Sequence, residues 1–398
     1  MEDRREAFPY RDKESMRILG LIVNPIAGIG GNVALKGSDG EEIVREARRR
    51  GGESPAPRRA ESFLKALKQH LGSSFTLITC KGDMGENEAL KAGIYPDYIV
   101  SVGGALTSAE DTKAAALEME RREVDLIAFC GGDGTARDIM DAIDLRKPVI
   151  GVPSGVKMES AVFSVNPEAA ALLAFKFLGG GLSTVDREVV DVDEEEYRKG
   201  FLKTRLYGYL RVPNDSDLLQ AAKSPSPLTE DEMEAQKSIA KYMVEEMDED
   251  ILYIIGPGTT AKAVLRELGL DSCLLGVDVV LGRRLLASDV SERDLIHILE
   301  GYSGCNPVRI VVTPIGGQGY IFGRGNQQIS PNVIRRVGRD NIIVLATFNK
   351  LFSLPKFRLL VDTGDREVDL SLSGYIRVIV DYRRELVVRV EPGFPTTH

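Results

Sequence analysis

Val124-Asp125-Leu126-Ile127-Ala128-Phe129-Cys130 runs directly into Gly131-Gly132-Asp133-Gly134-Thr135. The first seven residues are short and almost wholly apolar, as a strand buried on both faces should be. Beyond the glycines, Ala136 to Ile143 places Ile139, Met140 and Ile143 on one helical face. A glycine-rich turn between strand and helix lets backbone amides crowd round an anion, and the helix N-terminus adds positive partial charge. An aspartate repels phosphate, so Asp133 suits a site that also handles a hydroxyl or a metal ion. The plainer alternative is a tight turn in which Asp133 or Thr135 only caps the helix. The combination of residues favours the functional reading.

Two neighbouring junctions share this design. Ile18–Val23 reads as a strand entering Asn24-Pro25-Ile26-Ala27-Gly28-Ile29-Gly30-Gly31, and Val149–Val152 as one entering Pro153-Ser154-Gly155-Val156-Lys157. The first fails the dinucleotide fingerprint, because Val33 stands where its third glycine belongs, and no Gly-Lys-Ser/Thr P-loop occurs. Phe75–Cys80 and Asp97–Val102 are further strands, with helices predicted over Ala60–Leu71 and from the capping-box spacing Thr107-Ser108-Ala109-Glu110 to about Arg121. Strands alternating with helices predict a parallel sheet covered on both faces. Loops at the carboxyl ends of such strands gather in one crevice, so Asn24–Gly31, Gly131–Thr135 and Pro153–Lys157 are expected to meet there.

The 398 residues suffice for two or three domains. A charged tail over 1–15, a nucleotide-binding α/β domain over 16–165 and a β-rich substrate or oligomerisation domain over 166–398 are expected, the last strands being free to return to the first domain. Gly179-Gly180-Gly181 marks the change of composition. No apolar run approaches the roughly 20 residues of a membrane helix, and the charged N-terminus lacks a secretory pattern, which points to the cytoplasm. A net charge of −9 argues against a general nucleic-acid binder. Four scattered cysteines and three distant histidines (His70, His297, His398) argue against a zinc site, a redox pair or a His-based triad.

Further candidates lie outside the three turns. Lys36-Gly37-Ser38-Asp39-Gly40 places Lys36 and Asp39 beside the first glycines, with a solvated turn as the equal alternative. Gly256-Pro257-Gly258-Thr259-Thr260 is another glycine-to-helix junction, where Thr259 and Thr260 contact an anion or Thr259 serves as an N-cap. Ile315 to Gln328 is rich in glycine and amides and reads as a flexible loop or hairpin supplying Gln318 and Arg324 to a ligand.

Gly131–Thr135 after a buried strand resembles the signature shared by NAD kinases, diacylglycerol and sphingosine kinases and 6-phosphofructokinases. With Asn24-Pro25, Lys36–Gly40, Thr107–Thr112, Gly256–Thr260 and Thr313–Gln328, the chain from about residue 17 to 390 resembles the ATP-NAD kinase-like proteins, including the acetoin-catabolism X proteins. The resemblance implies an NAD-kinase-like fold with a Rossmann-like parallel sheet and a β-rich C-terminal domain. It implies that Asp133 acts as base on the hydroxyl that receives phosphate. Gly131, Gly132, Gly134 and Thr135 match the phosphate-facing turn, and Asn24 matches the asparagine closing the first strand. Gly28, Gly30, Gly31, Gly155 and Lys157 complete the candidate phosphate site.

Two features depart from the family. NAD kinases carry a later Asn-Glu pair on a strand that grips adenosine, whereas the one Asn-Glu here, Asn87-Glu88, precedes the signature. Val156 and Met158-Glu159 stand where the lipid-kinase branch has Thr and Asn-Asp. The expected activity is phosphorylation of NAD(H) or a related acceptor by ATP with Mg2+ or another divalent cation. The alternatives are a kinase for another sugar, polyol or lipid-like alcohol, and a non-catalytic nucleotide sensor. The expected partners are a nucleotide, a small-molecule acceptor and further copies of the same chain, with no nucleic acid and no membrane.

Overall fold

The computed structural model describes residues 17–35, 40–72, 74–102, 107–155, 158–192, 204–220, 229–302 and 307–393. The expected tail and the candidates Lys36, Asp39 and Lys157 lie outside them. The first half runs β1 (Arg17–Val23), α1 (Glu41–Arg49), α2 (Ala56–Leu71), β2 (Phe75–Cys80), α3 (Glu86–Lys91), β3 (Tyr98–Val100), α4 (Ala109–Arg121), β4 (Leu126–Gly131), α5 (Asp133–Ile143), β5 (Val149–Pro153) and α6 (Pro167–Leu178). All five strands are parallel, in the order β3-β2-β1-β4-β5. Every residue of β4 is buried, as its unbroken apolar run requires. The capping box that starts α4 is formed by Ser108 and Asp111, one residue later than the Thr107/Glu110 spacing suggested. Asp111 reaches back to the Ser108 amide at 2.8 Å, which a glutamate at 110 is not placed to do.

Helices α2 and α6 pack on each other and on β4 and β5, while α4 and α5 form the opposite pair. Gly20 of β1 lets α4 approach: a Cβ there would lie 2.6 Å from Met119 Sδ. The antiparallel hairpin β6 (Thr184–Val192) and β7 (Thr204–Pro213) adds Val189, Leu210 and Val212 to this first core. Leu218 and Leu219 join it too. The first core therefore reaches past the boundary expected at 166, because Asn166 caps α6 and that helix buries its alanine and leucine face against the first sheet.

The second half runs α7 (Glu230–Glu245), β8 (Tyr253–Ile255), α8 (Thr259–Glu267), β9 (Asp278–Leu281), β10 (Arg284–Ala287), α9 (Glu292–Gly301), β11 (Arg309–Val312), β12 (Tyr320–Phe322), α10 (Pro331–Val337), β13 (Ile342–Leu345), α11 (Phe348–Phe352), β14 (Arg358–Val361), α12 (Arg366–Leu372), β15 (Gly374–Asp381) and β16 (Arg384–Pro392). These nine strands form one mixed sheet in the order β10-β9-β8-β11-β13-β15-β16-β14-β12, with β8, β11, β13 and β15 parallel. Tyr253, Ile255, Val311 and Leu345 face α7 and α8, while Ile254, Ile310, Val312 and Val344 join the core under α9, α10 and α12. The second sheet is β-rich as expected and also carries helices on both faces. Its last strands, β15 and β16, pair with β13 and β14 and do not return to the first sheet.

Candidate active site

The chain runs outward from β1 to β2 and β3 and then crosses back to lay β4 against the other side of β1. In sheets of this kind that reversal is the place where loops at the carboxyl edge hold a ligand. Asn24 closes β1. Its amide donates to Cys130 O at 2.9 Å and its Nδ2 donates to Thr135 Oγ1 at 3.0 Å. Gly131 has no room for a side chain, since a Cβ would stand 2.4 Å from Thr135 Oγ1. Gly28, at φ +78°, brings the first loop to the third: its Cβ would lie 2.3 Å from Ser154 O. Ser154 in turn donates its amide to Gly131 O at 2.9 Å. The three expected turns thus meet. Gly30 and Gly31 are buried beneath them, while Gly132, Gly134 and Gly155 are half-exposed.

Helix α5 begins at Asp133, three residues before the apolar periodicity does, with Gly132 as its extended N-cap. Gly134 and Thr135 therefore lie in the first turn, where backbone N–H groups have no partner within the helix. Asp133 is only 6% exposed. Its Oδ2 accepts from the Glu159 amide at 2.7 Å and its Oδ1 from the Ser160 amide at 2.9 Å. Burial pushes the carboxyl up to about 7, against the pull of these hydrogen bonds. Sequence reasoning could not find this clamp, because backbone amides are the same in every residue type.

The other candidates are placed differently. Arg324 is buried, donates to Val165 O at 2.9 Å and pairs with Asp362 at 2.8 Å, so its charge is committed to protein groups. Gln318 donates to Gln220 Oε1 at 2.7 Å. The stretch expected to be a flexible loop or hairpin is a 3₁₀ turn at Gly316–Gln318, with Ile315 bridged antiparallel to Tyr320, followed by β12, the edge strand of the second sheet, which touches the first core through Tyr320 and Val165. Its glycines fit because backbone comes very close there: Gly319, at φ +87°, has Arg358 O 2.7 Å from where a Cβ would be. Asn87 and Glu88 lie on α3, not on a strand, and burial pushes the Glu88 carboxyl up to about 7.

Thr259 and Thr260 belong to a second polar group, at the carboxyl ends of β8, β11 and β13. Gln236 donates to Thr259 Oγ1 at 3.1 Å, Thr347 donates to Glu232 at 2.8 Å, and Lys350 donates to Thr313 Oγ1 at 3.4 Å. Burial lowers the Lys350 ammonium to about 8, with Glu232 opposing. Lys350, Glu232 and Gln236 carried no motif in the sequence, and Thr313 stood only at the start of Thr313–Gln328. Parallel pairing of strands distant in the chain brings them together.

Among the described residues, no group of three or more His, Cys, Asp or Glu is placed to hold a metal ion. No described helix is long and apolar enough to cross a membrane.

The sequence matches the family model of the ATP-NAD kinase N-terminal domain over residues 19–181 and that of the ATP-NAD kinase C-terminal domain over residues 248–390. No curated protein matches the chain. Three solved structures from Bacillus anthracis str. Sterne described as diacylglycerol kinases are 16–17% identical, with TM-scores of 0.22–0.25. They align with 44–46% of this chain, which spans only 44–46% of theirs. A UDP-GlcNAc 2-epimerase from Neisseria meningitidis bound to UDP-GlcNAc is 11% identical over 96% of this chain and 73% of its own, with a TM-score of 0.22.

Proposed function

Because the chain belongs to the ATP-NAD kinase family, we propose that it is an ATP-dependent kinase phosphorylating a hydroxyl of NAD(H) or a related small acceptor. One observation carries this reading. At the β1–β4 reversal, the first turn of α5 begins on a buried aspartate. The free amides of that turn would receive the donor phosphates, with Asn24 and Thr135 holding the floor rigid through their own bond. Asp133 would take the proton of the acceptor hydroxyl as its oxygen bonds to the γ-phosphorus and ADP leaves. A carboxyl poised at about 7 suits that task near neutral pH. A divalent cation bound with ATP would neutralise phosphate charge.

The test is the initial rate of ATP-dependent phosphorylation of NAD+ and NADH. Asp133→Asn should lose at least roughly 100-fold. A variant at full rate would sink the assignment of Asp133.

A second reading, a different small hydroxyl acceptor, is favoured by the position of Asn87-Glu88 on α3. A panel of sugars, polyols and lipid-like alcohols with labelled ATP separates the two. The same proposal takes the protein as cytoplasmic and as an assembly of identical chains, which light scattering would measure.

A further inference from the structure

Arg324 is buried where the second sheet docks on the first core, and only 6% of it is exposed. Its Nη2 reaches Val165 O at 2.9 Å and Asp362 Oδ2 at 2.8 Å, while Nη1 lies 3.9 Å from Met158 Sδ. The Tyr320 hydroxyl donates to the same Val165 carbonyl at 2.7 Å. Arg59 of α2 reaches the same Asp362 oxygen at 2.9 Å. One planar guanidinium thus touches both ends of the segment Met158–Val165.

Glu159 and Ser160, whose amides clamp Asp133, lie inside that segment. Ser160 has an independent anchor, because its hydroxyl exchanges hydrogen bonds with the Val190 backbone of β6 at 2.9 and 3.1 Å. Glu159 directly follows Met158, the residue Arg324 touches.

We propose that Arg324 is a positioning residue of the phosphotransferase site. Through Met158 and Val165 it sets where the Glu159 amide meets Asp133, so docking of the second sheet completes the geometry of the aspartate in the first. The proposal rests on the phosphotransferase reading of Asp133. It also replaces the expectation that Arg324 faces a ligand.

The decisive variants are Arg324→Lys and Arg324→Met, each alone and combined with Asp133→Asn. Lysine keeps the charge beside Asp362, but a single ammonium cannot reproduce the planar fork. Arg324→Lys should bind ATP with unchanged affinity by calorimetry and lose about 10- to 100-fold in kcat. It should cost nothing further in the Asp133→Asn background, because both residues act through one carboxylate. Amide hydrogen exchange should accelerate at Glu159. A wild-type kcat in Arg324→Lys, or losses that add in the double variant, overturns the proposal. If Arg324→Met fails to fold, the lysine variant alone decides. If the wild type transfers phosphate to no acceptor, the phosphotransferase reading falls by itself. Exchange at Glu159 then decides the positioning role: faster in Arg324→Lys supports it, and unchanged overturns it.

Discussion

Asp133 is held by two opposing influences. Burial raises its carboxyl to about 7, while the amides of Ser160 and Glu159 favour the charged form. The folded value lies above the unfolded one, so the native chain binds this proton more tightly. The stability this contributes is complete below about pH 4, the ordinary aspartate value, and is lost as pH rises through about 7. The melting temperature should therefore fall between pH 5 and 8, with a shallower slope in Asp133→Asn. If the carboxylate is the base, kcat/KM for the phosphorylated acceptor should rise over the same interval with an apparent pKa near 7. A profile flat from pH 6 to 8 would contradict that role. The aspartate itself was legible in the sequence from its glycine neighbours. Its clamp was not, since the donors are main-chain groups 26 and 27 residues away.

Among the elements, the strand-to-loop junctions carry most of the local constraint. Gly28 combines a left-handed backbone with a carbonyl 2.3 Å from a would-be Cβ. Gly28→Ala should then cost about 1–3 kcal/mol from backbone strain, with the clash in addition, and weaken ATP binding; urea denaturation and calorimetry check both effects. The capping box of α4 gives a smaller and cleaner case. Ser108→Ala removes the hydroxyl that accepts from Asp111 and should cost about 1 kcal/mol, read as a modest drop in the urea midpoint at unchanged m. Helix and strand periods made nearly all the elements of the first sheet readable. The start of α5 was missed because glycine and aspartate carry no apolar period, although they form its first turn.

At the scale of the whole molecule, the ion pair Arg59–Asp362 fastens the first core to the second sheet, and Arg324, on the same carboxylate, adds its bond to Val165 O. Arg59→Met leaves the carboxylate with one partner where it had two, and its loss should cost about 1.5–3 kcal/mol, the range of a hydrogen bond to a charged group. Chemical denaturation of the full chain measures it, and a loss below about 1 kcal/mol would show that the two halves are fastened elsewhere. Of the flexible loop or hairpin expected at Ile315–Gln328, the structure shows a tight turn with Ile315 bridged antiparallel to Tyr320. Glycine and amide side chains serve close backbone packing and buried hydrogen bonding as well as they serve a mobile loop. Composition does not separate the two.

By itself, the sequence determined the buried β4 strand, the glycine turn behind it, the parallel alternation around them and hence the meeting of the three turns at the β1–β4 reversal. These follow from local period and backbone stereochemistry, which adjacent residues encode. Only the tertiary structure decided which amides clamp Asp133, that Arg324 serves Asp362 and Val165, and that Lys350 meets Thr313. Those contacts join residues far apart in the chain, and their energy comes from burial and pairing that no short stretch contains.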